Sequence, residues 1–318
     1  MSKEQLIKKS AIFAILTGMK YQIILFYMYR KIEDPLVLME RERAIWSVLR
    51  LTGRMIIAPE GINGTLEGTV EDTEKYMKHL KSDKRFKYID FKTSAGTGKS
   101  FPRISIKVRD EIVSTGLPKH IDPTKKTGQR LSAKQLHKMY EKGEDFVVVD
   151  MRNTWEIASG RFKNTIDPGM RASRELPEKI EKIKQDAGNK KIVTVCNGGV
   201  RCEKMSAYLL DQGLDNVYQL HNGIHTYMQS YPGQNYEGTL YTFDDRLTMD
   251  FTENRKVVGE CYKCKKGSEN YINCSNDLCH LLCIVCINCG GEESIVFCSD
   301  ACRDGARSIT PRMMRAKA

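Results

Sequence analysis

At 318 residues the chain is too long for one small core and comfortable for two or three domains. Its 41% hydrophobic and 29% charged residues are the balance of an ordinary soluble protein, which sets aside fibrous, disordered and membrane-embedded classes. A net charge of +11 and a pI near 9.0 point to an anionic partner, nucleic acid or a membrane surface, with a merely solvated basic surface as the bland alternative.

The apolar stretch 11–19 follows Lys8 and Lys9, is far too short to span a bilayer and lacks a small-residue cleavage site. It reads as the leader helix of a cytoplasmic protein. Tyr21–Tyr29 is apolar and aromatic, a strand, and residues 35–51 carry Leu36, Leu38, Met39, Ile45, Trp46, Val48 and Leu49 at helical spacing. Residues 54–58 and 63–68 read as strands flanking a polar loop over 59–65, Val70–Ser82 as a helix, and 87–91 and Ile104–Val108 as further strands. The order β-α-β-β-α-β predicts a ferredoxin-like α+β sandwich, acylphosphatase-like in layout, over residues 1–118. Lys92, Lys99, Arg103, Lys107 and Arg109 make a candidate basic face for a phosphate backbone. The run 95–100 has the look of a phosphate loop, but Thr93 stands where a Walker sequence needs glycine and Pro102 follows, so that reading is rejected.

Residues 119–128 are polar and basic, a linker, and Ser132 caps a helix over 133–140. Phe146–Asp150 is a buried-strand run ending in Asp150 and Arg152, a pair that suits structural support better than direct chemistry, although open α/β sheets bind ligands at that end. Lys191–Val195 is a second β-branched run, followed by a helix that Gly213 stops. Val217–Leu220 is the last strand and 221–225 a turn. Strands alternating with helices predict a parallel sheet covered by helices on both faces over residues 119–250.

Cys196 sits where the 191–195 strand gives way to that helix. A thiol there meets free N–H groups and the positive end of the helix dipole, and Arg201 adds a fixed cation. Both favour thiolate, the nucleophilic form. Gly198 and Gly199 let the backbone curl and aim amides at one point above the sulfur. The alternative is a small buried hydrophobe beside a structural turn, the usual fate of a free cysteine. The ordered succession of strand, glycines, arginine and helix favours the reactive thiol. Four residues separate Cys196 from Arg201, one fewer than in tyrosine phosphatases, a loop better sized for sulfur than for phosphoryl. Cys202, one step beyond Arg201, is either a resolving thiol for an oxidised Cys196 or filler on the inner side of the helix, and the spacing does not decide.

Nine of the eleven cysteines lie between Cys261 and Cys302, which reads as metal ligation in a reducing cytosol rather than disulfides. The pairs Cys261/Cys264, Cys274/Cys279, Cys286/Cys289 and Cys298/Cys302 supply two tetrahedral four-sulfur sites for structural zinc, two ions in all. Either successive pairs share an ion, or Cys261, Cys264, Cys286 and Cys289 hold one and the rest the other. Few apolar residues occur over 251–318, so metal would supply the folding free energy. Cys283 is left over as a packed residue, and His280 is a weak substitute ligand. Arg307, Arg312, Arg315 and Lys317 make a basic tail.

The stretch Cys196-x-Gly-Gly-x-Arg201-Cys202-Glu-Lys204 resembles the active-site loop of rhodanese-like domains, in the form found in the tRNA uridine-34 hydroxylase family. The resemblance extends through 58–66, 107–118 and 148–153, and through the landmarks Asp150-x-Arg152, Gly160-x-Phe162 and 220–224. Asn197 stands where threonine is common, and the cysteine-rich tail is the long version. The resemblance implies an oxidoreductase that hydroxylates C5 of the wobble uridine in the anticodon loop of tRNA, with molecular oxygen as co-substrate and no membrane partner. Cys196 is then the essential thiol with Arg201 and Cys202 beside it, and Asn197, Gly198, Gly199, Val200, Arg152 and Lys204 are the expected substrate contacts. No haem, flavin, nicotinamide or 2-His-1-carboxylate signature is legible, so the sequence does not reach the source of electrons. Two other readings compete: a sulfurtransferase that carries a persulfide on Cys196 to tRNA, protein or cyanide, and a non-catalytic tRNA- or protein-binding adaptor.

Overall fold

The computed structural model describes residues 20–253, 255–279, 281–290, 293–307 and 312–313. The leader helix over 11–19, His280, and Arg315 and Lys317 of the tail lie outside the described residues. The chain divides into two compact units at Thr127/Gly128.

In the first unit, β1 (Tyr21–Tyr29), β2 (Thr52–Ala58), β3 (Gly61–Thr69), β4 (Asp90–Ala95) and β5 (Ile104–Val108) form one sheet in the order β4-β1-β3-β2-β5. The first four strands have ferredoxin-like order, and β5 adds a parallel edge beside β2. Helices α1 (Pro35–Val48) and α2 (Val70–Ser82) begin at Asp34 and Thr69, whose side chains accept from the N–H groups of Val37 and Asp72. The core runs through Ile24, Phe26, Trp46, Leu66, Tyr76, Leu80 and Phe86.

Three local expectations are corrected here. The strand expected over 87–91 begins only at Asp90, because Phe86 and Ile89 are buried in a turn closed by Phe86 N–H on the Asp83 carbonyl and Ile89 N–H on the Phe86 carbonyl. Lys92 does not belong to an exposed basic face: it is buried, with Nζ 4.6 Å from the Tyr27 ring centroid, whereas Lys99, Arg103, Lys107 and Arg109 are exposed. The loop 59–65 of the sequence reading is a two-residue turn, Pro59 and Glu60, and Glu60 accepts from the Ile112 N–H at 2.9 Å. The rejection of a phosphate loop at 95–100 has a physical counterpart. The N–H groups of Thr97, Gly98 and Ser100 all donate to the buried Glu67 carboxylate, so an internal anion already occupies that cradle.

The second unit opens with β6 (Gln129–Leu131), α3 (Ala133–Glu141), β7 (Phe146–Asp150), α4 (Thr154–Ile157), β8 (Gly160–Phe162) and β9 (Thr165–Ile166). It continues with α5 (Leu176–Ala187), β10 (Lys191–Val195), α6 (Val200–Asp211), β11 (Val217–Leu220) and α7 (Gly223–Ser230). Ser132 and Gln135 form a reciprocal capping box at the start of α3. The sheet β6-β11-β10-β7-β9 is parallel throughout. All of β7 and all but the first residue of β10 are buried, so both faces are covered, as parallel sheets require. On one face Val148, Val193 and Val195 pack with Leu136 of α3 and Ile224 and Tyr227 of α7. The turn expected over 221–225 is confined to His221 and Asn222, the latter at φ 64°, and α7 begins at Gly223.

The chain then makes β12 (Tyr236–Gly238), which pairs with β8, and a hairpin of β13 (Leu240–Tyr241) and β14 (Thr248–Met249). The cysteine-rich part is built on β15 (Tyr271–Asn273) and β16 (Leu282–Ile284), with one small cluster of Cys261, Ile272, Val285 and Val296 and with Tyr271 and Ile284 buried against Tyr241.

Candidate active site and metal centres

The buried strand β10 carries the chain into the sheet's C-terminal edge, and α6 carries it away. Between them the backbone turns tightly enough that Gly199 has φ 100°, a conformation strained for any residue with a Cβ. The turn brings the Gly199 N–H to 3.2 Å from Cys196 Sγ. Below the loop, the N–H groups of Ile224 and His225 donate to the carbonyls of Cys196 and Asn197 at 2.9 and 3.0 Å. A Cβ on Gly223 would lie 2.5 and 2.4 Å from those two oxygens, so only glycine admits this contact. The loop is thus held by backbone groups of α7 and by its own Asn197 amide, which donates to the Tyr241 carbonyl at 2.7 Å.

Cys196 is fully buried. Burial alone would push its thiol up. The Cys202 thiol donating to it, the Arg201 guanidinium and the N–H groups of Cys202 and Gly199 outweigh that and hold the thiol down at about 6. Cys202 goes the other way: burial, donation to Cys196 and the neighbouring negative charge push it up, so it keeps its proton while Cys196 loses one. The anion, once formed, sits beneath the protein surface.

Arg201 points inward, only 7% exposed, and forms a two-pronged pair with Glu156 of α4, Nη1 to Oε1 at 2.9 Å and Nη2 to Oε2 at 2.6 Å. Glu156 is itself fully buried. No spacing rule links residues 45 positions apart, and sequence reasoning missed this carboxylate. It fixes the guanidinium beside the sulfur. Replacing Glu156 with leucine is expected to strand a buried cation and lower stability by about 3–5 kcal/mol, read from the urea midpoint of the whole chain. A change within experimental error would show that the pair does not brace the loop.

The other expected site residues separate into two groups. Asn197, Gly198, Gly199 and Val200 belong to the turn itself, with the Asn197 amide donating to the Tyr241 carbonyl at 2.7 Å. Arg152 and Lys204 lie inside the protein. Arg152 is fully buried, bonded to Asp150 through Nε and Nη2 at 2.9 and 2.7 Å and to the Gly160 carbonyl at 2.7 Å. It braces the ends of β7 and β8, not the sulfur, in keeping with the structural support read from Asp150 and Arg152. Lys204 is 4% exposed on α6, a helix buried on every position from Arg201 to Leu209. A further group missed from the sequence is the aromatic set Trp155, Tyr241 and Phe243, with Phe243 5.9 Å from the Arg201 guanidinium.

The cysteine pairs interleave. Cys261, Cys264, Cys286 and Cys289 form one group and Cys274, Cys279, Cys298 and Cys302 the other, each with its four sulfurs within 4.8 Å of one another. Four sulfurs at about 2.3 Å from a tetrahedral ion lie about 3.8 Å apart. The observed separations are 3.6 Å for Cys264/Cys286, 3.5 Å for Cys274/Cys302 and 3.6 Å for Cys279/Cys298. The donor sets therefore fit four-sulfur metal sites. Cys283 belongs to neither and packs beside the small core.

A parallel five-stranded sheet with a thiol in a glycine turn at the N-terminus of a buried helix defines a rhodanese-like domain, here carried with an acylphosphatase-like sandwich and a cysteine-rich segment. Three family matches follow the same division: "UPF0176 acylphosphatase like domain" over residues 21–112, "Rhodanese-like domain" over 132–230 and "Rhodanase C-terminal" over 237–303. A protein of Cytophaga hutchinsonii named tRNA uridine(34) hydroxylase is 41% identical over 284 residues, 89% of this chain and 90% of its own. One of the same name from Staphylococcus aureus strain RF122 is 40% identical over 265 residues, 82% of this chain and 83% of its own. The chain belongs to the tRNA uridine(34) hydroxylase family. Among the described residues no helix is long and apolar enough to cross a membrane.

Proposed function

We propose that this protein is a tRNA-modifying oxidoreductase that hydroxylates C5 of the wobble uridine, position 34, using molecular oxygen, with Cys196 as its working thiol. The observation that carries this reading is the Cys196 sulfur in its glycine turn, with the Gly199 nitrogen at 3.2 Å, in a chain whose relatives bear that activity in their name. The Cys196 thiolate adds to uridine C6, and the electron pair of the C5–C6 double bond moves toward C5 and O4, making C5 the electron-rich carbon. One oxygen atom of O2 ends on C5. The other leaves as water with two electrons and two protons from an external reductant. Loss of the C5 proton and departure of the thiolate restore the double bond. Arg201, locked to Glu156, keeps the sulfur ionised before attack and after release.

We assign residues 1–118, with the exposed Lys99, Arg103, Lys107 and Arg109, to backbone binding, 119–250 to chemistry, and 251–318 to structure, with one zinc ion in each four-cysteine group. Full coordination by sulfur leaves no open position, so the zinc serves folding only. An anticodon-loop base leaves its stack easily, which suits a recessed thiol. The enzyme works in the cytoplasm, where its substrate is. The relatives' name does not favour the sulfurtransferase alternative, which predicts a sulfane adduct on Cys196 after thiosulfate treatment.

The test is mass spectrometry of tRNA nucleosides from cells with and without the gene. Loss of hydroxylated uridine on deletion and its return on complementation support the reading; unchanged levels overturn it. Because the thiolate is the attacking form, kcat/KM is expected to rise with pH through about 6 and stay level between about 7 and 9. Arg201→Gln removes a cation that favours the anion, so its midpoint moves to higher pH. A profile still climbing near pH 9 in the unaltered protein would mean that Cys196 titrates like an ordinary thiol.

A further inference from the structure

The half-exposed ring of Phe243 is unusual for its surroundings. It is 45% exposed, yet its inner side meets the Arg201 guanidinium at 5.9 Å, the Tyr241 ring at 5.2 Å edge-on and the Trp155 ring at 6.3 Å. Trp155 precedes Glu156, the partner of Arg201, and Tyr241 takes the Asn197 amide on its carbonyl. Both neighbours are therefore tied to the thiol turn.

The turn that carries the ring is clipped by its own hydrogen bonds. It lies between β13 and β14, where Arg246 clasps Asp244 through Nε and Nη2, both at 2.7 Å. Backbone bonds run from Thr242 N–H to the Leu247 carbonyl at 2.8 Å and from Leu247 N–H to the Asp244 carbonyl at 3.0 Å. Leu247 has φ 59°, a conformation that a branched side chain adopts only under constraint. A strained, clipped turn that presents an apolar ring to water beside a recessed anion is poorly explained by packing. Proteins that read single-stranded RNA hold unstacked bases on such rigid aromatic faces.

We propose that Phe243 is the stacking platform for the nucleobase delivered to Cys196, receiving the uracil at position 34 or the base next to it as the anticodon loop opens. The ligand class is a single-stranded pyrimidine nucleotide of RNA. The exposed part of the ring takes the base, while the Arg201 guanidinium, 5.9 Å from the ring centroid, stays paired with Glu156. This inference rests on the proposed hydroxylase reading for its substrate.

Its test uses the full chain with four forms: unaltered, Phe243→Ala, Phe243→Trp and Cys196→Ser. The probe is a synthetic anticodon stem–loop RNA carrying uridine at position 34, titrated by fluorescence anisotropy, with hydroxylated uridine in complemented deletion cells as the second readout. Phe243→Ala is expected to weaken binding roughly tenfold or more, the size of one lost base–aromatic stack, and to cut the modification, while Phe243→Trp restores both. Cys196→Ser is expected to bind as the unaltered protein does and to leave no product. Thermal melts of the two Phe243 variants should match the unaltered protein, since the ring is half in solvent. If Phe243→Ala binds within twofold, or Trp fails to restore binding at an unchanged melt, the platform is refuted. If Cys196→Ser still yields product, the thiol reading fails while the stacking result stands by itself.

Discussion

Cys196→Ser is expected to abolish hydroxylated uridine at position 34, with activity falling by about 10⁴-fold or more, as when the nucleophile is removed from other covalent enzymes. The exchange changes little in shape, and Gly199 N–H can still donate to the hydroxyl, so the turn should survive. What is lost is the charge. Burial opposes any anion at this position, and only a group as acidic as a thiol, helped by the Cys202 thiol, Arg201 and two amides, overcomes it near neutral pH. A hydroxyl starts many pH units too high for the same help to suffice. Cys202→Ser is a milder change, because Cys202 keeps its proton and acts only as a donor to the anion. The measurement is nucleoside mass spectrometry on tRNA from a deletion strain complemented with each variant. Product from Cys196→Ser at anything near the unaltered level would remove the thiol from the mechanism.

Stripping the two proposed zinc ions is expected to unfold the cysteine-rich segment. Among the described residues its buried apolar side chains are few, chiefly Cys261, Tyr271, Ile272, Ile284, Val285 and Val296, too few to order the segment unaided. Metal binding to a four-cysteine site supplies folding free energy directly, because the site exists only in the folded chain. Elemental analysis should return two zinc ions per chain, and Cys274→Ser or Cys289→Ser should each lower that count by one because the two groups share no ligand. Chelation should also reach the thiol site. Tyr271 of β15 donates to the Trp155 carbonyl at 2.7 Å and packs on Tyr241 at 5.3 Å, so loss of the segment removes support from the aromatic set beside Arg201. Far-UV circular dichroism and proteolysis before and after chelation read the outcome. A metal-free chain with an intact, protease-resistant segment would show that sulfur packing alone holds it.

Much of this was legible before any coordinates. The runs Phe146–Asp150 and Lys191–Val195 are β-branched and unbroken, which is what a strand buried on both faces needs, and the structure buries them. The glycines of the thiol turn, the Ser132 cap and the stop at Gly213 depend on interactions within a few residues, and a local pattern predicts local geometry. The strand misplaced at 87–91 and the helix start read as a turn at 221–225 failed because tertiary burial of Phe86 and Ile224 overrode propensity.

The amino-acid sequence by itself determined the kind of site: a cysteine at a strand-to-helix turn with an arginine one turn along, and eight cysteines enough for two metal ions. Only the tertiary structure decided which charge faces which. Glu156 meets Arg201 across 45 residues, Arg152 turns inward to Asp150, and the second cysteine pair is matched with the fourth, not the first. The reason is that ion pairs and ligand sets are satisfied in space, where folding makes distant residues adjacent, whereas spacing along the chain constrains only what lies within a few residues of itself.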